Sequence, residues 1–444
     1  MTVTALSPET RPTSTTGTRP TVYRQTTYPA PSGRSRSHAP AQNGPAGTAE
    51  PAEPAEPAVV STARFATPVT GPARVLHQIR TSPGITRSRL HQDLDLSQPT
   101  VTRHVAALID AGLVEQASPA QSSATTVGRP GTTLLPDGRH LTALGAHVGL
   151  RSTQLVAVDG SGRPLRSRTL KLPLPDLPPE EALEAVHHGL TSLARGLPDP
   201  VGLGVAFSSP VDATGHVSSR AYGWNSVDVA GILGRAAAGS GLPVSLATGV
   251  GAMAGSELTS TPLGTADSDI PGGRSTLYVY ARELVAHAWI VGDAVHQPFT
   301  GVSPAAFTRI AESGSFSVSR NGSGHPLGTT AVLEASRRRG IRVSSVSELV
   351  ALSSTNPVAR ELLDERAELL GQIISLAVEV VDPATVVFAG EAFTADPGAV
   401  KIIARHLRGD APRRRLSIQR AGDGILSRAA AVTALHRLWS DPLA

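Results

Sequence analysis

The sequence predicts an α/β protein in three parts: a disordered N-terminal tail, a small helical domain with a β-wing, and a two-lobed α/β domain. Three observations predict it. Residues 84–112, GITRSRLHQDLDLSQPTVTRHVAALIDAG, carry two helical patterns joined by a two-residue turn. Two short strand patterns follow, at 113–116 and 132–135, on either side of a Ser-rich loop that ends in Gly128-Arg129-Pro130-Gly131. From residue 140 onward, clusters of strands alternate with helices, and the cluster occurs twice, which implies two lobes with a cleft between them.

The tail spans residues 1–67. It is rich in Pro, Thr, Ser and Ala, ends near an AEPAEPAEPA run, and has little apolar periodicity. Such a composition buries too little apolar surface to offset chain entropy. The tail carries Arg11, Arg19, Arg24, Arg34 and Arg36 against Glu9 in its first 49 residues, so it is a solvated segment with a weak affinity for polyanions at most.

The small domain spans 68–138. Pro72 to Arg80 reads as a first helix with Val75, Leu76 and Ile79 inward. Thr86 caps a second helix that runs to Leu94, Asp95 and Leu96 make the turn, and Ser97 caps a third. Pro99 falls in the first turn of that third helix, where a missing N–H costs little. Val101, Val105, Leu108 and Ile109 form one apolar stripe, and Gly112 ends the helix. Ser97, Gln98, Thr100, Thr102, Arg103 and His104 remain on the outward side of the helix start. All can hydrogen-bond and none is acidic, which suits a helix entering a DNA major groove. An ordinary hairpin in a core would more often mix Glu with Lys on that face. The flanking strands form a wing, and Arg129 at its tip is placed to hold a minor groove or a phosphate. The double-stranded DNA partner follows from these residues.

Composition narrows the rest. A chain of 444 residues has room for two or three domains. Its formal charge of +4 excludes a polybasic coat protein, and its basic side chains are almost all arginine, with only Lys171 and Lys401 as lysines. There are no cysteines, which excludes disulfides and thiolate metal sites. No run of 18 apolar residues or signal-peptide pattern occurs, so the expectation is a cytoplasmic protein with no membrane partner.

In the third part, 139–444, His140 to Leu170 reads as three strands, with a turn at Asp159-Gly160-Ser161-Gly162. Helices follow at 180–197 and at 229–238, the latter capped by Asp228, with strands at 201–207 and 244–247 and a small-residue helix to Leu258. A second strand unit opens at 276–290, with its turn at Gly292-Asp293. A long amphipathic helix at 359–381, a strand at 385–389 and a last helix at 426–439 complete the chain.

In this order the segments LSQPTVTRHVAALIDAGLV with GRPG, VGLGVAFSSPVDATGHV before Gly223-Trp224, AESGS before GHPLGTTAVLE, VVDPATVVFAG, and GDGILSRAAAVTAL resemble the ROK family (repressors, open reading frames and kinases), in its repressor branch. The resemblance covers residues 70–440. It implies a winged helix-turn-helix joined to a sugar-kinase-like, actin-like ATPase fold. The family's kinases open with Asp-x-Gly-x-Thr, and here the run is His147-Val148-Gly149-Leu150-Arg151. The second phosphate loop is Ala281-Arg282-Glu283-Leu284, whose side chains obstruct a phosphate that needs bare backbone N–H groups. The catalytic Asn-Asp-x-Asn run is Thr248-Gly249-Val250-Gly251, with no carboxylate to act as base. The family's zinc ligands correspond to Ser315, His325, Leu327 and Val332, of which Leu and Val cannot ligate. The resemblance therefore implies no enzyme activity, no cofactor and no metal.

A pocket is the remaining expectation. Glu312 matches a sugar-hydroxyl acceptor of the family, and Ser208, Ser209, Trp224, Asn225 and Thr248 lie on segments that border the interlobe cleft. They form a candidate site for a small polar effector such as a sugar. Two readings stay open: an effector sensor, or a ligand-independent regulator whose second domain serves only assembly. An active sugar kinase is contradicted by His147, the 281–284 loop and Gly249. One winged helix buries too little to select one genomic site, so a homodimer or homotetramer on a repeated operator is expected.

Overall fold

The computed structural model describes residues 56–117, 132–263, 275–298, 303–316, 324–407, 415–419 and 424–444. The helical domain follows a short strand, β1 (Val60–Thr62). It contains α1 (Gly71–Thr81), β2 (Ile85–Thr86), α2 (Arg87–Leu94), α3 (Gln98–Asp110), β3 (Val114–Ala117) and β4 (Thr133–Pro136). Its caps follow the local chemistry. Thr86 accepts the Arg89 N–H, Asp95 closes α2 in the left-handed conformation, and Ser97 accepts the Thr100 N–H. Val75, Leu76, Ile79, Leu90, Val101, Val105 and Leu108 pack as one core with Leu134 of the wing. The wing sheet has a third strand, because Ile85 and Thr86 pair with β4.

Lobe one contains β5 (Thr142–Val148), β6 (Thr153–Asp159), β7 (Pro164–Leu170), α4 (Pro179–Ala194), β8 (Pro200–Phe207), β9 (His216–Ser219), β10 (Trp224–Asp228), α5 (Val229–Ala236), β11 (Val244–Thr248) and α6 (Gly249–Thr259). Lobe two contains β12 (Ser275–Ala281), β13 (Val285–Val291), β14 (Ala294–Val295), α7 (Ala305–Glu312), α8 (Thr329–Arg338), α9 (Val346–Leu352), α10 (Pro357–Val381), β15 (Thr385–Ala389), α11 (Glu391–Thr394), α12 (Pro397–His406) and β16 (Arg415–Gln419), after which α13 (Gly424–Ser440) returns to lobe one.

The two large sheets repeat one plan. In lobe one the order is β7-β6-β5-β8-β11, and in lobe two it is β14-β13-β12-β15-β16, with antiparallel pairing in the first three strands and parallel pairing in the last two. The doubled strand cluster in the sequence is thus a doubled sheet. Helix α13 lies against β5 and β8 so closely that side chains are excluded. A Cβ on Gly145 would come within 2.5 Å of Ala430 O, and one on Gly204 within 2.2 Å of Ala434 N. Glycine at both positions is therefore a packing requirement.

Two boundaries differ from the sequence expectation. The turn of the second strand unit is at 282–284, and Gly292-Asp293 instead joins β13 to β14. Residues 58–67, assigned to the tail, form an extended strap. Val60–Thr62 pairs in parallel with Val244–Leu246 as a sixth strand of lobe one, and Ala66 bridges Ala294 of lobe two. The pairing partners lie about 180 and 230 residues away, so no local pattern announces the strand.

Candidate DNA-recognition surface and interlobe cleft

Helix α3 presents its start to solvent. Gln98, Thr102 and Arg103 are exposed, while Thr100 is half-buried. Ser97 and Thr100 are tied together, hydroxyl to hydroxyl at 2.8 Å, so they fix the helix start. No acidic residue occupies the first turn. His104 is half-buried, and its ring lies over the first residue of α1: a Cβ on Gly71 would meet its Nε2 at 2.4 Å. Desolvation and the neighbouring Arg103 lower the His104 pKa. Arg129 lies outside the described residues. At the wing base, Arg139 bridges Glu115 at 2.6 Å and Asp137 at 2.9 Å, which holds the Asp137 carboxyl down at about 2.

The helical domain is docked firmly on the rest of the chain. The Arg80 guanidinium stacks 3.1 Å from the Trp439 ring centroid, and the Trp439 indole N–H donates to Gly160 O at 2.9 Å. His77 Nε2 donates to Thr261 O at 2.8 Å, and the Leu263 N–H donates to Gln78 Oε1 at 2.9 Å. Burial pushes His77 down to about 4 and Arg80 down to about 9. Leu438, Leu141 and Leu263 add apolar contact to the helical core.

The positions that the resemblance relates to kinase chemistry lie in two close pairs, His147 beside Gly249 and Arg151 beside Glu283. His147 is 1% exposed, and neither ring nitrogen has a hydrogen-bond partner. Its Nε2 occupies the space in front of α6: a Cβ on Gly249 would lie 2.7 Å from it and 3.1 Å from Phe207 O. Burial, with the nearby Arg282 charge as a lesser contributor, holds His147 near pKa 4, so it is neutral at pH 7. The 147–151 and 281–284 loops hold each other. Arg151 pairs with Glu283 at 3.2 Å and also donates to the Thr330 hydroxyl on α8. The carboxyl of Glu283 is shifted upward by burial, an effect that Arg151 opposes.

The corresponding zinc positions do not form a polar cluster. Leu327 and Val332 are fully buried in the lobe-two core. Ser315 hydrogen-bonds to Glu365, and His325 Nδ1 accepts the Leu327 N–H at 3.1 Å.

The expected effector residues are dispersed. Trp224 is 4% exposed and packs edge-on against Tyr222 at 5.2 Å, with Phe207 at 6.3 Å. It is a core residue and presents no free face for stacking. Asn225 is exposed on β10, and Glu312 is exposed at the end of α7. Ser208 and Ser209 are half-buried after β8, where the Ser208 N–H donates to Val148 O. Only Thr248 of the six lines a cleft of about 850 Å3 among the described residues, whose other walls come from the strap, residues 210–218, the rest of β11 and residues 295–298. A second, more open depression of about 380 Å3 is lined by Tyr280, Arg282, Gly390, Glu391 and Gln419. No helix among the described residues is long and apolar enough to cross a membrane.

These features define a winged helix-turn-helix protein on a kinase-like scaffold. Residues 72–117 match the helix-turn-helix domain family. The chain is 33% identical over 401 residues to the transcriptional regulators Rv0485 of Mycobacterium tuberculosis and Mb0495 of Mycobacterium bovis, covering 84% of this chain and 86% of each relative. The fold is similar to a crystal structure of a ROK family transcriptional regulator, a homologue of the E. coli MLC protein. That match has a TM-score of 0.58 and 16% identity, covering 84% of this chain and 96% of the other. A putative sugar kinase from Cytophaga hutchinsonii matches with a TM-score of 0.50 and 12% identity, over 65% of this chain and 98% of its own. The chain belongs to the family of these transcriptional regulators, and its fold is that of the ROK family regulator.

Proposed function

We propose that this regulator binds a specific DNA operator through α3 and has no phosphoryl-transfer activity. The observation that carries the reading is the free, non-acidic start of α3 on a domain held in one orientation by Arg80, Trp439, His77 and Gln78. Gln98, Thr102 and Arg103 read base edges, Ser97 and Thr100 hold the helix start, His104 backs it, and Arg129 on the wing contacts the minor groove or backbone. Two copies or four bind a repeated operator.

The lack of kinase activity is supported by His147 and Gly249. The space for a catalytic carboxylate holds an imidazole that is neutral at pH 7. A small metabolite in the cleft beside Thr248 modulates the protein. A second reading, in which the kinase-like part serves only assembly, is favoured by the Arg151–Glu283 pair across the former phosphate loops.

Genome-wide chromatin immunoprecipitation of the parent and of Arg103→Ala tests the DNA reading. Sharp peaks with a shared repeated motif, lost in the variant, are expected. Enrichment indifferent to Arg103 overturns it.

A further inference from the structure

We infer that the 850 Å3 cleft under the strap takes a largely apolar small molecule, and that the strap passes its presence to the DNA-binding domain. This refines the effector part of the proposed function and is independent of its DNA part. The volume lies within the range of small-molecule sites. Apolar walls come from Ala63 and Phe65 of the strap, Val211, Leu246 and Val295.

Most polar side chains in the lining already hydrogen-bond within the protein; among the described residues Thr62 and His296 are the exceptions. Asp212 Oδ1 accepts from the Thr214 N–H, the Thr214 hydroxyl and the His216 N–H. Thr248 caps α6, the Gln297 amide donates to Ala63 O at 2.7 Å, and Ser218 Oγ accepts the Ser226 N–H. A polyhydroxylated sugar entering here would lose more hydrogen bonds to water than Thr62 and His296 can replace, which is unfavourable. An aromatic or alkyl body loses nothing of that kind and gains the apolar walls.

The strap connects this cleft to the helical domain through an unbroken backbone. The Ala63 N–H donates to Leu246 O in lobe one, and the Thr67 N–H donates to Asp293 O in lobe two. Phe65 seats against Gly255 of α6, where an added Cβ would come within 2.4 Å of the ring. Thr70 then forms the N-cap of α1. A molecule against Ala63 and Phe65 therefore presses on a segment that ends, five residues beyond Phe65, at the start of the DNA-binding domain.

The test uses the full chain and N-phenyl-1-naphthylamine, a neutral apolar fluorophore. Its emission should rise saturably at one site per chain, without competition from glucose. Val211→Arg and Val211→Trp, which fill the cleft from a half-buried loop position, should each weaken binding at least tenfold. Non-saturable binding, displacement by glucose, or undiminished binding in both variants overturns the site.

For transmission, hydrogen exchange is followed at Ala63, Thr67 and along α1. The probe should slow exchange in the strap and change it in α1. In Ala66→Cys/Ala294→Cys the flanking bonds, Val295 N–H to Phe65 O and Thr67 N–H to Asp293 O, make this a non-hydrogen-bonded antiparallel pair. Such pairs have Cα atoms about 4.5 Å apart, within disulfide range. The chain has no other cysteine. Oxidation should abolish the α1 response and reduction restore it. An α1 response that is absent in the parent, or persists when the disulfide is closed, overturns transmission. No DNA enters either measurement, so failure here is distinct from failure of the recognition-helix reading.

Discussion

Replacing Trp439 by Ala should loosen the DNA-binding domain from the rest of the chain without unfolding lobe two. Trp439 makes three separable contacts. Its ring carries the Arg80 guanidinium at 3.1 Å, its N–H donates to Gly160 O at 2.9 Å, and its edge lies 3.0 Å from where a Cβ on Gly162 would sit. Of these, only the Arg80 contact joins the DNA-binding domain to the rest of the chain; the Gly160 bond and the Gly162 contact hold Trp439 in place under it. A desolvated cation–π contact contributes about 2 kcal/mol, which corresponds to roughly a thirtyfold change in the docking equilibrium. Native-state hydrogen exchange reads this directly. Amides of Leu76 to Ile79 in α1 should exchange about thirtyfold faster, while those of Leu369 to Ile374 in α10 should not change. Arg80→Met should have a smaller effect, because it keeps the alkyl contact and removes a charge that burial already disfavours. Unchanged exchange in α1, or equal acceleration in α10, would refute the reasoning.

Arg103→Ala should weaken binding to the operator found by immunoprecipitation by about 1–3 kcal/mol and relax one base position; equal affinity in an anisotropy titration counts against the assignment. Gly249→Asp should not confer sugar phosphorylation and should lower the melting temperature, because its Cβ would meet His147 Nε2 at 2.7 Å and Phe207 O at 3.1 Å; ATP turnover with a sugar panel and calorimetry check both halves. Stability should fall as pH drops from 6.5 toward 4. His77 is held at about 4 in the fold against 6.5 in the unfolded chain, so the unfolded state takes up its proton first. His147 and His325 shift the same way, and His77→Gln should flatten part of a urea-midpoint profile that would otherwise decline. A double-mutant cycle with Arg151→Ala and Glu283→Gln should give a coupling of about 1 kcal/mol, since Arg151 is half exposed.

The helical domain was legible because its signals are local. Ser97, Thr86, Asp95 and Pro99 each act on a backbone group within four residues, and the apolar stripe of α3 needs only the helical period. The repeat of the sheet was legible for a similar reason, as each lobe opens with adjacent antiparallel strands. The strap was not legible. Its Val60, Ala63 and Phe65 are too few to form a pattern, and what orders them is pairing with β11 and β14, far along the chain. Trp224 marks another limit. An indole beside Tyr222 and Phe207 reads the same in sequence whether it lines a cleft or fills a core, and only packing decides. Thr248 is legible as a cleft residue, but its neighbours in the wall come from three other segments that no spacing relates.

Three structural features converge on α1. The strap enters it after touching the outer edges of both sheets. Helix α13, which packs on the lobe-one sheet and against α6, ends with Trp439 beneath Arg80. The segment after α6 holds His77 and Gln78 through Thr261 and Leu263. Arg151 and Glu283 join the 147–151 and 281–284 loops, and His147 fills the space in front of Gly249. The Arg151–Glu283 pair thus ties one lobe to the other, while all three attachments of the DNA-binding domain lead back to the lobes. Displacement of one lobe against the other would have to strain at least one of those attachments, because each is short and carries direct hydrogen bonds or stacking.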